Sequence, residues 1–340
     1  MFSEFHRNIK EIMNCAGLWL DDLEIKENKR NGGQSLCFPI KNKNRIVYIA
    51  KFFDYMKNIP SDIVRLNKEI YQNIDEFEQA IAELPISDNI EQILENIYYY
   101  KRSFYRYVEI SEKTQDVFPK VYTSNNNIRI GDRFYGLLIE EYIEGKNLRD
   151  IIDSMDREKN DLSKYSIEFL NNVSKTLKKY SDNKIVHRDI SPDNIIISVN
   201  GNVVIIDPGV IKIIDRNSTN LGYIMGKRTY ASPEQYYGNA LSADFSSDLY
   251  ALGIILYEII TGINLINKYM STGKPHSEIV KNMDRELEDL FFDVLDYDNE
   301  KNIFLYNIIK KMIQEDKNLR FSSIEAFIQA ISILNSKEGK

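Results

Sequence analysis

Three oxygen-bearing side chains in this 340-residue chain are spaced as chemistry on a hydroxyl would need: Asp189, Asn194 five residues on, and Asp207 further along. The first two lie in Ile185-Val186-His187-Arg188-Asp189-Ile190-Ser191-Pro192-Asp193-Asn194, directly before the apolar run Ile195-Ile196-Ile197. A carboxylate such as Asp189 can orient a hydroxyl and accept its proton. An amide and a second carboxylate, Asn194 and Asp207, add further oxygen donors. Phosphoryl transfer divides the work in this way, with one carboxylate near the attacking oxygen and separate oxygen ligands for the metal.

Such groups need elements to hold them. Ile195 to Val199 and Asn202 to Ile206 flank Asn200-Gly201, a strong two-residue hairpin signal, and the hairpin delivers Asp207. Earlier in the chain, short β-rich segments are separated by Gly and Asn turns: Asp22 to Ile25, Ser35 to Ile40, Arg45 to Phe53, Lys120 to Thr123 and Phe134 to Tyr142. Ile63, Leu66, Ile70, Ile74, Phe77 and Ile81 form one helical apolar stripe that ends at Pro85, and a second helix is expected from about Asn89 to Lys113. After Glu144-Gly145 the pattern becomes mainly helical. The apolar run from Leu249 to Tyr257, bounded by Asp248 and Glu258, is about half of a ~20-residue membrane span and reads as a buried helix.

Composition sets the outer limits. With 43% hydrophobic residues the chain can build a substantial core, in one large or two modest domains. A net charge of −7 argues against a dominant nucleic-acid surface. Cys15 and Cys37 form neither a disulfide framework nor a paired metal motif, which points to a reducing, cytoplasmic setting. Met1 to Lys10 carries no apolar run long enough for a secretory signal, and no membrane span is expected.

From about Leu23 to Ile333 the chain resembles the protein kinase superfamily, particularly the bacterial serine/threonine type. The resemblance is strongest from Ile139 to Gly262 and rests on His187-Arg188-Asp189 with Asn194, on Asp207-Pro208-Gly209, on Ser232-Pro233-Glu234-Gln235, and on Ser247-Asp248-Leu249-Tyr250-Ala251-Leu252-Gly253. It implies an α+β, two-lobed fold: a small antiparallel-sheet lobe over residues 1–143, with an extra helical insertion at about 57–88, and a larger helical lobe over 144–340. The insertion would cover the small lobe or dock a partner.

The resemblance also assigns residues. Val47-Tyr48-Ile49-Ala50-Lys51 is similar to the strand carrying the nucleotide-anchoring lysine, with Lys51 as that lysine and Ala50 as one wall of the adenine pocket. Asn31-Gly32-Gly33 would approach the phosphates. Glu141 and Ile143 would offer main-chain groups to the adenine edge, with Glu140 at the rear of the pocket and Ile196 and Ile206 lining it. Asn194 and Asp207 would hold Mg2+. Glu234 would pair with Arg320, Asp248 would brace the catalytic loop, and Arg188 could receive a phosphate placed on Ser218, Thr219 or Tyr223.

Four departures stand out. The glycine loop has two adjacent glycines where the family spaces three, and Pro208 replaces an aromatic residue. Ser191 stands where serine/threonine kinases usually carry lysine, and Lys227 where they usually carry threonine; Lys227 is expected to return the missing charge. The glutamate partner of Lys51 should fall near Arg106 or Tyr107. Glu109 is the nearest candidate, and Glu69 is the alternative if the first helix takes that role. The reading is an ATP- and Mg2+-dependent kinase acting on serine or threonine of a protein substrate, itself included. Its alternative is a weak or inactive relative that serves as a nucleotide-binding scaffold.

Overall fold

The computed structural model describes residues 2–26, 35–43, 45–65, 71–85, 88–114, 117–208, 212–213, 228–237, 242–270, 278 and 287–337. The chain divides into two compact units, Met1–Glu144 and Gly145–Lys340, at the place where its texture changes from β-rich to helical. A five-stranded antiparallel sheet characterises the first and a helical body the second, a mixed α+β architecture.

In the first unit the strands are β1 (Leu23–Ile25), β2 (Ser35–Asn42), β3 (Arg45–Asp54), β4 (Val121–Ile130) and β5 (Arg133–Glu141), in the order β1-β2-β3-β5-β4. Successive side chains of a strand point to opposite faces, so the sheet builds two apolar layers. One contains Ala50, Phe52, Leu137 and Ile139 and is covered by helix α1 (Phe2–Cys15) through Phe5, Ile9 and Met13. Phe5 meets the rings of Phe38, Phe52 and Tyr135 at centroid distances of 5.3, 4.7 and 5.5 Å. The apolar positions 5, 9, 12 and 13 of α1 carry the period of a helix and face this layer.

The other layer contains Phe53 and Leu138 and is covered by α2 (Ser61–Arg65), α3 (Ile74–Ala82) and the long α4 (Asp88–Lys113). Val64, Ile74, Phe77 and Ile81 pack in one cluster with Ile93, Ile97, Phe104 and Tyr107 of α4. The stripe expected to form one helix is interrupted. Asn73 starts α3 afresh, its extended backbone and its side-chain oxygen, which accepts from the Glu76 amide, making it an N-cap. The apolar faces of α2 and α3 are thus spent inside the unit, and Leu66 and Ile70 lie outside the described residues. At Gly136 of β5 a Cβ would stand 2.4 Å from the Tyr55 hydroxyl oxygen and 2.6 Å from Phe104, so glycine is what lets α4 close on the sheet.

The second unit comprises α5 (Leu148–Ser154), α6 (Leu162–Asp182), α7 (Pro233–Tyr236), α8 (Phe245–Thr261), α9 (Leu265–Met270), α10 (Glu300–Met312) and α11 (Ile324–Ser336). The short strands β6 (Gly145–Asn147), β8 (Ile195–Ser198) and β9 (Val203–Ile205) form an antiparallel sheet, and β7 (Ile185–Val186) pairs with β10 (Lys212–Ile213). Helix α8 is buried on every side from Ser246 to Ile260 and ends at Gly262, whose φ of 77° is the left-handed cap that favours glycine. No helix among the described residues is long and apolar enough to cross a membrane.

Candidate functional site

The residues able to do chemistry fall in both units. In the first, Lys51 on β3 directs its ammonium to Glu140 on β5, Nζ to Oε1 2.8 Å, and both side chains are almost wholly buried. Cross-strand register explains the meeting: Ile49 is opposite Glu140, so Lys51 is the next residue along the same face. Tyr107 of α4 closes the arrangement. Its hydroxyl accepts from Lys51 Nζ at 3.1 Å and donates to the other oxygen of Glu140. A lone charge at this depth would be expensive, and the pair with its bridging hydroxyl offsets that cost.

Two expectations are corrected here. The carboxylate on Lys51 is Glu140, while Glu109 is a third exposed and pairs with Lys113 one helical turn along, at 2.5 Å. The place on α4 that faces Lys51 holds Tyr107, and a residue two positions further on lies elsewhere around the helix. Ala50 is no wall of a pocket built around Lys51. As the neighbour of Lys51 in a strand it faces the opposite layer, fully buried against α1. Ile49, with Cys37 and Pro39 opposite Lys51 and Ile49 on β2, shares the face of the lysine. Gly32, Gly33 and Glu69 lie outside the described residues. Glu141 ends β5 with its amide bonded to the Lys120 carbonyl at 2.8 Å; Ile143 follows, half-buried.

In the second unit the loop from His187 to Asn194 is held by side chains that bond its backbone. Asp248 of α8 accepts from the amides of His187 and Arg188 at 2.8 and 2.9 Å. Burial pushes its carboxyl up to about 7, against the pull of those amides. Gln235 of α7 donates to the Arg188 carbonyl at 2.8 Å. Arg188 needs this support because its φ of 69° is unfavourable for a side chain with a Cβ.

His187 ties the loop to the strand that leads to Asp207. Nδ1 accepts from the Asp189 amide at 3.3 Å, so Nε2 carries the proton and donates to the Ile206 carbonyl at 3.2 Å. The ring stacks on Tyr180 with centroids 6.0 Å apart, and burial pushes its pKa down to about 4, which keeps it neutral. Asn194 completes the loop. Its Nδ2 donates to the Asp189 carbonyl at 2.9 Å and to the Asp189 carboxylate at 3.1 Å, while its own carbonyl accepts from the Ile206 amide at 2.8 Å. Asp207 follows directly with φ 63°. Asn194 and Asp207 are therefore tied through one main-chain bond. Ile196 is half-buried on β8, as is Ile206 beside Asp207, and Pro208 is buried.

Glu234 and Arg320 form a bidentate pair at 2.9 and 3.0 Å. Burial pushes Glu234 up, but the Arg320 bonds, its charge and the Ser247 hydroxyl together hold the carboxyl below its ordinary value. A further network was not foreseen. Glu258, read only as the end of an apolar run, is buried and accepts from Arg149 at 2.8 Å and from the Tyr230 hydroxyl at 2.7 Å. Lys227 lies outside the described residues, as do Ser218, Thr219 and Tyr223.

With this geometry in hand, similarity to known proteins gains a physical meaning. The chain is 31% identical to the probable serine/threonine-protein kinase of Clostridium perfringens over 207 residues, 56% of this chain and 29% of that protein. It is 36% identical to the serine/threonine-protein kinase PknB of Mycobacterium tuberculosis over 128 residues, 37% of this chain and 20% of that one. The probable PknB of Lactococcus lactis is 32% identical over 126 residues, again 37% of this chain, and 19% of that one. The chain thus spans under a third of the length of these curated relatives. Residues 62–331 match the family model described as the protein kinase domain, which covers His187 to Asn194, Asp207, Glu234, Asp248 and Arg320 alike, and the chain belongs to that family.

Proposed function

We propose that this chain is an ATP- and magnesium-dependent protein kinase that phosphorylates serine or threonine hydroxyls. The observation that carries the reading is the Asp189–Asn194 bond, which fixes one carboxylate against an amide whose own main chain is bonded to the residue before a second carboxylate, Asp207. Asp189 orients the acceptor hydroxyl and takes its proton as the oxygen bonds to the γ-phosphorus and the β–γ bridging bond breaks, leaving ADP. Lys51 neutralises phosphate charge. Asn194 and Asp207 would hold magnesium, which when bound draws charge from the phosphate oxygens. Among the described residues no cluster of three or more His, Cys, Asp or Glu could bind a metal alone. Two protein oxygens fit magnesium, an ion that fills its remaining positions with water and phosphate.

Ser191 is buried and its hydroxyl has no partner among the described residues, so this position supplies no positive charge. Lys227 is proposed to supply it. Autophosphorylation and a cytoplasmic setting belong to the same reading.

Incubation with labelled ATP, magnesium and a generic acceptor protein tests it. Asp189→Ala should lower label transfer at least a hundredfold, a loss of about 3 kcal/mol in transition-state stabilisation. Equal labelling by both proteins, or none by either while nucleotide still binds, would favour a nucleotide-binding scaffold.

A further inference from the structure

The buried triad of the first unit departs from what the chain's own sequence led one to expect, a carboxylate from the long helix. Lys51 and Glu140 stand on adjacent strands of one sheet, bonded at 2.8 Å, and the helix α4 contributes a hydroxyl. Two strands in fixed antiparallel register cannot slide without breaking the ladder between Tyr48–Glu141 and Asp54–Tyr135. A helix packed on a sheet through side chains alone is far freer to shift.

We infer that Glu140 is the positioning carboxylate for Lys51, so that the nucleotide-anchoring lysine is held within the sheet itself. It does not depend on a carboxylate delivered by α4. This rests on the reading of Lys51 as the phosphate-neutralising group. Tyr107 then acts as a sensor of α4: while α4 is seated, its hydroxyl bridges the two charges, and if α4 shifts, the ion pair stays. Control of the lysine by helix movement is graded in such a design, through one hydroxyl, instead of all-or-none through loss of a charge.

The experiment uses the full chain with Glu140→Gln, Glu140→Asp, Tyr107→Phe and Glu109→Gln. Each is checked for folding by its thermal transition and assayed for kcat, for KM toward ATP and toward the acceptor protein, and for nucleotide affinity by calorimetry. Glu140→Gln is expected to raise KM and Kd for ATP at least tenfold with KM for the acceptor unchanged, and Glu140→Asp to recover most of that loss. Tyr107→Phe should raise KM for ATP about threefold, and Glu109→Gln should stay within twofold of the parent. If Glu140→Gln binds and uses ATP within twofold of the parent, or Glu109→Gln shows the larger loss, the inference is wrong. Should Glu140→Gln not fold, an unchanged KM for ATP in Tyr107→Phe overturns it equally. Failure of the parent to bind ATP would instead sink the kinase reading, so the two failures are distinguishable.

Discussion

The buried ion pair of the small unit and that of the large unit differ in what they join. Lys51 and Glu140 connect neighbouring strands, whereas Arg320 and Glu234 connect a loop before α11 to the short helix α7. The choice of cation follows. Arg320 spreads a planar fork over Glu234 and over the carbonyls of Gln314, Ser246 and Glu315, at 2.8 to 3.2 Å, and lies against the Tyr250 ring at 4.9 Å. It is a joint with many fixed bonds. Lys51 carries a compact ammonium on a flexible stem, set beside a carboxylate and a hydroxyl. One unit buries charge to hold segments together and the other, under the function proposed for Lys51, to keep a charge ready for use.

That contrast is open to breakage at its strongest point. Arg320→Ala should cost about 3–5 kcal/mol of stability, because Glu234 and three carbonyls are left buried without their donor. Urea unfolding would register the loss, and Glu234→Ala combined with it should cost less than the sum of the two single changes. Since total stability is only about 5–15 kcal/mol, the single variant should be poorly soluble at physiological temperature. A loss below about 1 kcal/mol would show that Arg320 is not the joint described here.

How much of this was legible in the sequence depended on distance along the chain. The run from His187 to Asn194, the Asn200-Gly201 hairpin and the helix closed by Gly262 are local patterns, and the structure holds β8, β9 and α8 close to where the spacing put them. The Lys51 partner was not local. Glu140 is far away in sequence, on a strand whose register with β3 only the folded sheet fixes, so counting along α4 led to Glu109 instead. Ala50 was misplaced for a simpler reason: the two-residue period of a strand, applied from Lys51, puts Ile49 and not Ala50 on the lysine's face. Glu258 was hidden by its setting, an acid at the end of an apolar run whose partners Arg149 and Tyr230 come from other elements.

The second way to sharpen the comparison is through pH, since the loop of the large unit and the helix α8 that braces it carry two buried titratable groups whose shifts oppose each other. His187 has its pKa pushed down to about 4 by burial, below the ordinary 6.5. Between those values the unfolded chain binds a proton that the folded one refuses, so this group's contribution to stability is lost as pH falls from 6.5 through 4. Asp248, pushed up to about 7 from 3.8, acts the other way: the folded state keeps a proton that the unfolded state has released, and stability falls as pH rises between those values. Wild type should therefore show a shallow net slope. His187→Phe keeps the stack on Tyr180 but removes one of the opposing groups, so its stability relative to wild type should improve on acidification from pH 6.5 to 4, by up to about 3 kcal/mol. Parallel pH profiles of the two proteins would mean that His187 titrates normally in the folded chain.

The smallest effect belongs to the pair that sequence counting favoured. Glu109 and Lys113 sit one turn apart on α4 with a third to a half of each side chain exposed. Solvent screens such a pair, and holding two long side chains in one geometry costs entropy, so Lys113→Met should change stability by no more than about 0.5 kcal/mol. Its Kd for ATP should match that of the parent, because Glu140 and Tyr107 satisfy Lys51 without it. A change of fivefold or more in ATP affinity on removing Lys113 would mean that Glu109, once released, competes for Lys51. The sheet register would then be a weaker constraint on the lysine than the mobility of the helix.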